Sequence, residues 1–269
     1  MTFFQVLTLA IADMVSHGFD GASRVEHWIF EIKKSLKTQV LPPRDLEQMV
    51  YRALTNTFER TLRTHRGRHA LTNKVIVSQM TPQLRTEMNK RMMATMQLLQ
   101  ASRDETLAKV VRNFTGWATS IPEGGTAQAK QREEKARIRR ILTRIPNQEK
   151  RIILDQSYKL KTAMDDLIAK ESGAIAAKWY DRGEHDITYD ARKLHLDRSG
   201  TIFTIRNSWA HQQGLIKAPN GYTDDFEMVG EFPFCQCHYE YFYRIEDLPE
   251  QFLTVTAKNV LKSKKFMRK

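Results

Sequence analysis

Both cysteines of the chain stand in one four-residue run, Cys235-Gln236-Cys237-His238. Thiolate sulfur and imidazole nitrogen are the donors of tetrahedral zinc sites. Residues two apart in an extended strand point the same way, so the two thiols are expected to face one partner. Forty residues upstream of Cys235 stands His195. With His195 and His238 the set becomes two sulfurs and two nitrogens, and His185 is a substitute for either histidine. A structural zinc on these residues would stabilise a module whose core is thin. The same residues support a second reading. Free cysteines pack as small hydrophobes, and a histidine beside them can join a buried polar network with arginine. Both readings stay open at the level of the sequence. A disulfide across C-x-C is disfavoured by its geometry.

A second cluster runs Asp190-Ala-Arg192-Lys-Leu-His195-Leu-Asp197-Arg-Ser-Gly200. Arg192 and His195 share a face if the segment is helical. Asp190 and Asp197 are placed to orient either one. A histidine, an arginine and two aspartates suit a metal-dependent nuclease or a phosphoryl-transfer centre. They suit equally a polar clamp that fixes a loop to a sheet. The chain has no Walker motif, no GxGxxG and no paired-acid arrangement, which weighs against an enzyme. Gly200 is read as the turn that launches a strand.

The elements that must carry these clusters follow from periodicity. Helical spacing covers 2–17 and 21–38, and Pro43 opens a helix over 43–64. Arg63–His69 reads as a basic turn. Thr81-Pro82 opens a long helix toward Trp117, and Ile121-Pro-Glu-Gly-Gly is a loop. A charged helix covers 127–143. Pro146 punctuates it, and Asn147 caps a helix that runs to Trp179. Beyond Gly183 the period changes. Strands are expected at 201–206, 226–229 and 237–244. Helix returns after Pro249, and the Lys-rich tail 262–269 is expected to be mobile. The fold class expected is a mainly α N-terminal body followed by a small α+β C-terminal module. The domains are drawn as 1–146, 147–250 and a basic tail 251–269. The apolar fraction of 41% is enough for a packed core. The apolar start of the chain, Met1 to Ala12, lacks a basic leader and meets Asp13 early, so it reads as an amphipathic helix rather than a signal peptide. No membrane span is expected. Two cysteines do not make a disulfide scaffold, which points to a reducing compartment.

The spacing Asp190-x-Arg192-x-x-His195-x-x-x-x-Gly200, a strand, and then Gly230-Glu231 leading to Cys235-x-Cys237 resembles the head-morphogenesis proteins of tailed phages, the family typified by the F protein of phage Mu. The resemblance covers about 147–245. It implies that Asp190, Arg192, His195 and Gly200 form a structural polar cluster closed by the cysteine pair. It departs from the family pattern at Gln236, where the family carries arginine, and at Leu154-Asp-Gln-Ser157, where an Arg-Thr-Glu type segment is usual. The function it implies is that of a minor, non-catalytic capsid protein, present in several copies at the portal or capsid interior. It would be assembled in the host cytoplasm and would act in head assembly, DNA packaging or ejection. Portal, capsid proteins and double-stranded DNA are the partners it implies.

Charge is distributed unevenly. Residues 1–150 carry 25 basic and 14 acidic groups, and 151–269 carry 18 and 17. A positive field confined to one half suits nucleic acid or an acidic protein. Lys130, Arg132, Lys135, Arg137, Arg139 and Arg140 make the densest basic run and are the candidate phosphate contacts. The bland alternative is a solvated helix face with i,i+4 pairs. Two further function classes are a metal-dependent phosphoester enzyme on Arg192 and His195, and a DNA-binding regulator. The second lacks a recognisable helix-turn-helix.

Overall fold

A computed structural model of the chain describes residues 1–37, 43–68, 70–125, 129–181 and 195–267. Within these, side chains are described at all positions but 43, 66–68, 70–74, 129–132, 142 and 264–267. The architecture is a mainly helical body with a small α+β part at the C-terminal end. In chain order come α1 (Phe3–His17), α2 (Ala22–Lys37), α3 (Pro43–Arg68), α4 (Ala70–Ala118), α5 (Ala129–Leu142) and α6 (Ile145–Glu171). Then follow β1 (Ala176–Tyr180), β2 (Ile202–Thr204), α7 (Trp209–Gln212), β3 (His238–Phe242) and α8 (Val255–Met267).

Packing divides the chain into two compact units. One holds residues 1–52 and 92–154, the other 53–91 and 155–269. The boundary drawn from sequence at 146/147 falls inside α6 and within the first unit. In the first unit, Phe3, Leu7, Ile11 and Met14 of α1 pack with Ile32 of α2, Phe114 of α4 and Ile138 of α5. The apolar start of the chain is thus the inner face of an amphipathic helix. Thr2 caps it in a reciprocal box with Gln5. Asp13, on the same helix, binds Arg24 and the Trp28 indole N–H at 3.0 and 2.7 Å.

In the second unit, three strands form an antiparallel sheet in the order β2-β1-β3. The central strand is Ala176-Ala-Lys-Trp-Tyr180, a stretch read from sequence as helix. The helix ends earlier because Ser172-Gly173 stops it. Gly173 sits at φ +83°, its N–H bonds Lys170 O, and the Ala174 N–H bonds Ala169 O. This is a Schellman termination, which glycine adopts without the Cβ clash other residues suffer. Ile175 and Ala176 face one apolar cluster with Phe252 and Leu253, while Ala177 and Trp179 face another with Phe203, Tyr239 and both cysteines. Burial on both faces explains why β1 carries no alternation of polar and apolar residues.

Other expectations are also corrected. Arg63–Arg68 continues α3 instead of forming a turn. His65 explains why: its Nε2 lies 2.7 Å from Asp165 on α6, which anchors the last turns of α3. Pro82 lies inside α4 rather than at its start, with Val77 and Met80 buried ahead of it. Asn147 lies within α6, not at its cap. The segment 226–229 is irregular, although Phe226 and Val229 still pack into the cluster around Trp179. The return of helix after Pro249 and into the Lys-rich tail is as expected, with helix reaching Met267.

Candidate metal centre

Four polar positions on α6 set up the site. Asp155, Tyr158, Thr162 and Asp166 recur at helical spacing and so form one stripe. The Asp155 carboxylate accepts the Phe234 N–H at 2.6 Å. The Tyr158 hydroxyl reaches the carbonyls of Gln236 and Cys237 at 2.7 and 3.0 Å. The Tyr241 hydroxyl donates to Asp166 at 3.2 Å. Between these anchors Gly230 passes close to the helix. A Cβ there would stand 2.8 Å from Thr162 Oγ1, and its φ of +81° is one that side chains resist. The segment 230–237 is therefore held along α6 by its own backbone, and the two thiols turn away from the helix into the sheet cluster.

Cys235 and Cys237 lie in the irregular lead-in to β3 rather than on the strand. Phe234, just ahead of them, has a left-handed φ of +61°. That conformation costs a non-glycine residue about 1–2 kcal/mol. It reverses the chain directly before Cys235, and the Asp155 bond to its N–H holds it there.

His195 lies in a helical stretch, described over 195–198, and is 3% exposed. Its Nδ1 lies 3.5 Å from Cys235 Sγ and 3.5 Å from Cys237 Sγ. The three donor atoms fall within 4.8 Å of one another and all three residues are buried. Trp179 and Phe232 pack their rings against the imidazole, with centroids 5.0 and 5.2 Å away. Gly200 follows the turn and donates its N–H to Trp179 O at 2.8 Å, which ties the turn to β1.

The electrostatics of the thiol pair are asymmetric. A hydrogen bond from the Cys237 thiol, which outweighs the penalty of burial, pulls Cys235 down to about 5, helped by the N–H groups of Cys237 and Gly230 and by His195. Cys237 is pushed up, first by sharing its proton with Cys235 and then by burial. The same thiol donates to Asp181 Oδ1 at 3.5 Å.

The other expected residues are distributed differently. His238 is absent from the cluster. Period-two alternation along β3 turns it away from Cys237 and Tyr239, and its ring stacks on Tyr180 at 5.5 Å. Asp197 is exposed. Asp190, Arg192 and His185 lie outside the described residues. Of the basic run on α5, Arg137, Arg139 and Arg140 are exposed and Lys135 is half-buried; the side chains of Lys130 and Arg132 lie outside the described set. Arg139 sits over the Phe4 ring at 5.6 Å and Arg137 pairs with Glu134 at 3.7 Å.

Sequence reasoning missed Asp155, Tyr158, Trp179, Asp181 and Arg198. Arg198 covers the Trp179 and Phe226 rings at 5.4 and 4.5 Å and pairs with Glu227 at 2.8 Å. That bond holds the Glu227 carboxyl below its ordinary range. A signal for the α6 stripe was present in the 155/158/162/166 spacing, although the broad apolar face of the helix masked it.

No protein-family model, no curated protein and no solved structure matches the chain. Among the described residues no helix is long and apolar enough to cross a membrane.

Proposed function

We propose that the chain is a minor structural protein of a tailed-phage virion, acting in head assembly at or near the portal or in the capsid interior. The observation that supports this reading is the contact of His195 with Cys235 and Cys237 at 3.5 Å each. His195 from the first cluster and the cysteine pair from the second, forty residues apart, meet in one buried site. A short motif whose halves meet in space carries more weight than one whose halves are scattered. The arrangement suits a closed structural module. The imidazole is enclosed by sulfur and aromatic rings, and α6 holds the cysteine segment as a rail. The chain's positive excess divides evenly between the two units, and the first carries the densest basic run, with Arg137, Arg139 and Arg140 of α5 exposed. In the proposal the first unit faces the acidic partners, portal protein or packaged DNA.

The test is particle composition. Virions and DNA-free heads purified on a density gradient should contain the chain at a fixed ratio to the major capsid protein. Its absence from both kinds of particle would remove the reading.

A further inference from the structure

We propose that His195 Nδ1, Cys235 Sγ and Cys237 Sγ are three ligands of one structural zinc ion. The inference concerns the chemistry of the cluster and does not rest on the virion reading.

The distances carry it. Zinc binds sulfur at about 2.3 Å and imidazole nitrogen at about 2.0–2.1 Å, so the tetrahedral angle separates S and N by about 3.6 Å. Both sulfur–nitrogen separations here are 3.5 Å. One nitrogen equidistant from two sulfurs is the edge pattern of a tetrahedron. The two sulfurs also lie within 4.8 Å of one another, so all three edges fit around one ion. Donor type agrees as well, since thiolate and imidazole together select zinc over the hard cations, which prefer oxygen.

The surroundings match a structural site. The three ligands come from two segments, the turn over 195–198 and the lead-in to β3, which share no direct strand pairing with each other. Each segment is separately held in place. Gly200 fastens the turn to β1, and Asp155 and Tyr158 fasten the thiol loop to α6. The donors are therefore preorganised before any ion binds. The aromatic wall of buried Trp179 and half-buried Phe232 limits water and strengthens metal–ligand attraction. Asp181, whose oxygen lies 3.5 Å from Cys237 Sγ, stands one ligand–ligand edge from that sulfur. It falls outside the three-residue donor group, so in the proposal a water molecule takes the fourth position. On binding, both sulfurs coordinate as thiolates and release the protons they hold, His195 coordinates through an unprotonated Nδ1, and no electron is transferred.

The experiment uses the full chain produced in zinc-supplemented medium. Elemental analysis should give about one zinc per chain. After chelator stripping, Co²⁺ titration should produce a tetrahedral visible spectrum and a thiolate-to-cobalt charge-transfer band, both saturating near one equivalent. Zinc should then abolish both. A thiol reagent should modify both cysteines in the stripped protein and neither in the zinc form. Cys235→Ser and Cys237→Ser should each diminish the charge-transfer band, and His195→Gln should lose stoichiometric binding. Where a variant fails to fold, the wild-type thiol protection stands as the readout. A zinc-free preparation that is folded and gives no cobalt spectrum would overturn the proposal. So would a cobalt spectrum without sulfur charge transfer, or thiol reactivity that zinc does not change. Particle association is measured independently, so a negative result there leaves the zinc outcome standing, and the reverse holds too.

Discussion

The two ring nitrogens of His195 have different surroundings. Nδ1 faces both sulfurs, whereas Nε2 is buried with no hydrogen-bond partner among the described residues. An orphaned ring nitrogen is costly, so the contacts of Nδ1 must hold the imidazole in place. Trp179 supplies the wall behind it and is fully buried. Trp179→Ala should therefore cost about 3–5 kcal/mol of unfolding free energy, read by chemical denaturation. A loss below about 1 kcal/mol would show that the pocket collapses without harm. Asp165 gives a separate residue-level prediction. Burial pushes its carboxyl up, but the hydrogen bond from His65 and the Lys161 ammonium outweigh burial and hold it below 3.8. A depressed folded-state value means that the stabilisation is complete above the ordinary carboxyl range and is lost as pH falls through the folded value. Wild-type stability should thus decline below about pH 4, and Asp165→Asn should flatten that acid limb while lowering stability near neutrality. Identical acid limbs in the two proteins would contradict the assignment.

At the scale of elements, α6 is the part that determines where the thiols go. Tyr158 bridges to two carbonyls of the cysteine segment. Tyr158→Phe should cost about 1 kcal/mol and raise the rate at which thiol reagents reach Cys235 and Cys237. An unchanged thiol rate would mean that the loop holds itself. Gly230→Ala is expected to be more damaging, because it adds both a left-handed backbone penalty of about 1–2 kcal/mol and a clash with Thr162. The boundaries of α1, α2 and α5 were legible in the sequence, whereas those of α4 and α6 were not. The 3.6-residue stripes of α1, α2 and α5 and the strands at 202–204 and 238–242 follow from periodicity and turn residues. What was not legible has local physical reasons. The β1 sequence Ala-Ala-Lys-Trp-Tyr is compatible with helix by propensity, and only its burial on two faces makes it a strand. Pro82 and Gly67 look like breaks in isolation, yet tertiary anchors at Val77, Met80 and His65 carry helix through them. The pairing of His195 with the thiols was legible as chemistry. The exclusion of His238 was legible as well, since alternation in the strand expected at 237–244 sends His238 to the face opposite Cys237 and Tyr239.

At the scale of the molecule, the densest basic run and the site belong to different units, although the net charge is shared evenly between them. The first unit carries the basic helix α5, and the second carries the buried His–Cys cluster. If α5 contacts packaged DNA, retention on a DNA column should fall steeply with salt. The triple change Arg137→Gln, Arg139→Gln and Arg140→Gln should flatten that salt slope without altering zinc content. A salt-independent interaction would exclude phosphate contacts. The central claim is that one cluster closes the C-terminal module by joining the 195–198 turn to the lead-in of β3. Amide hydrogen exchange on the intact chain reads this most directly, comparing wild type with His195→Ala. The account predicts that protection falls together over 195–205 and 234–242, on both sides of the cluster, while α1 and α2 keep theirs. Loss confined to the turn at 195–198, with the 234–242 segment as protected as in wild type, would contradict it.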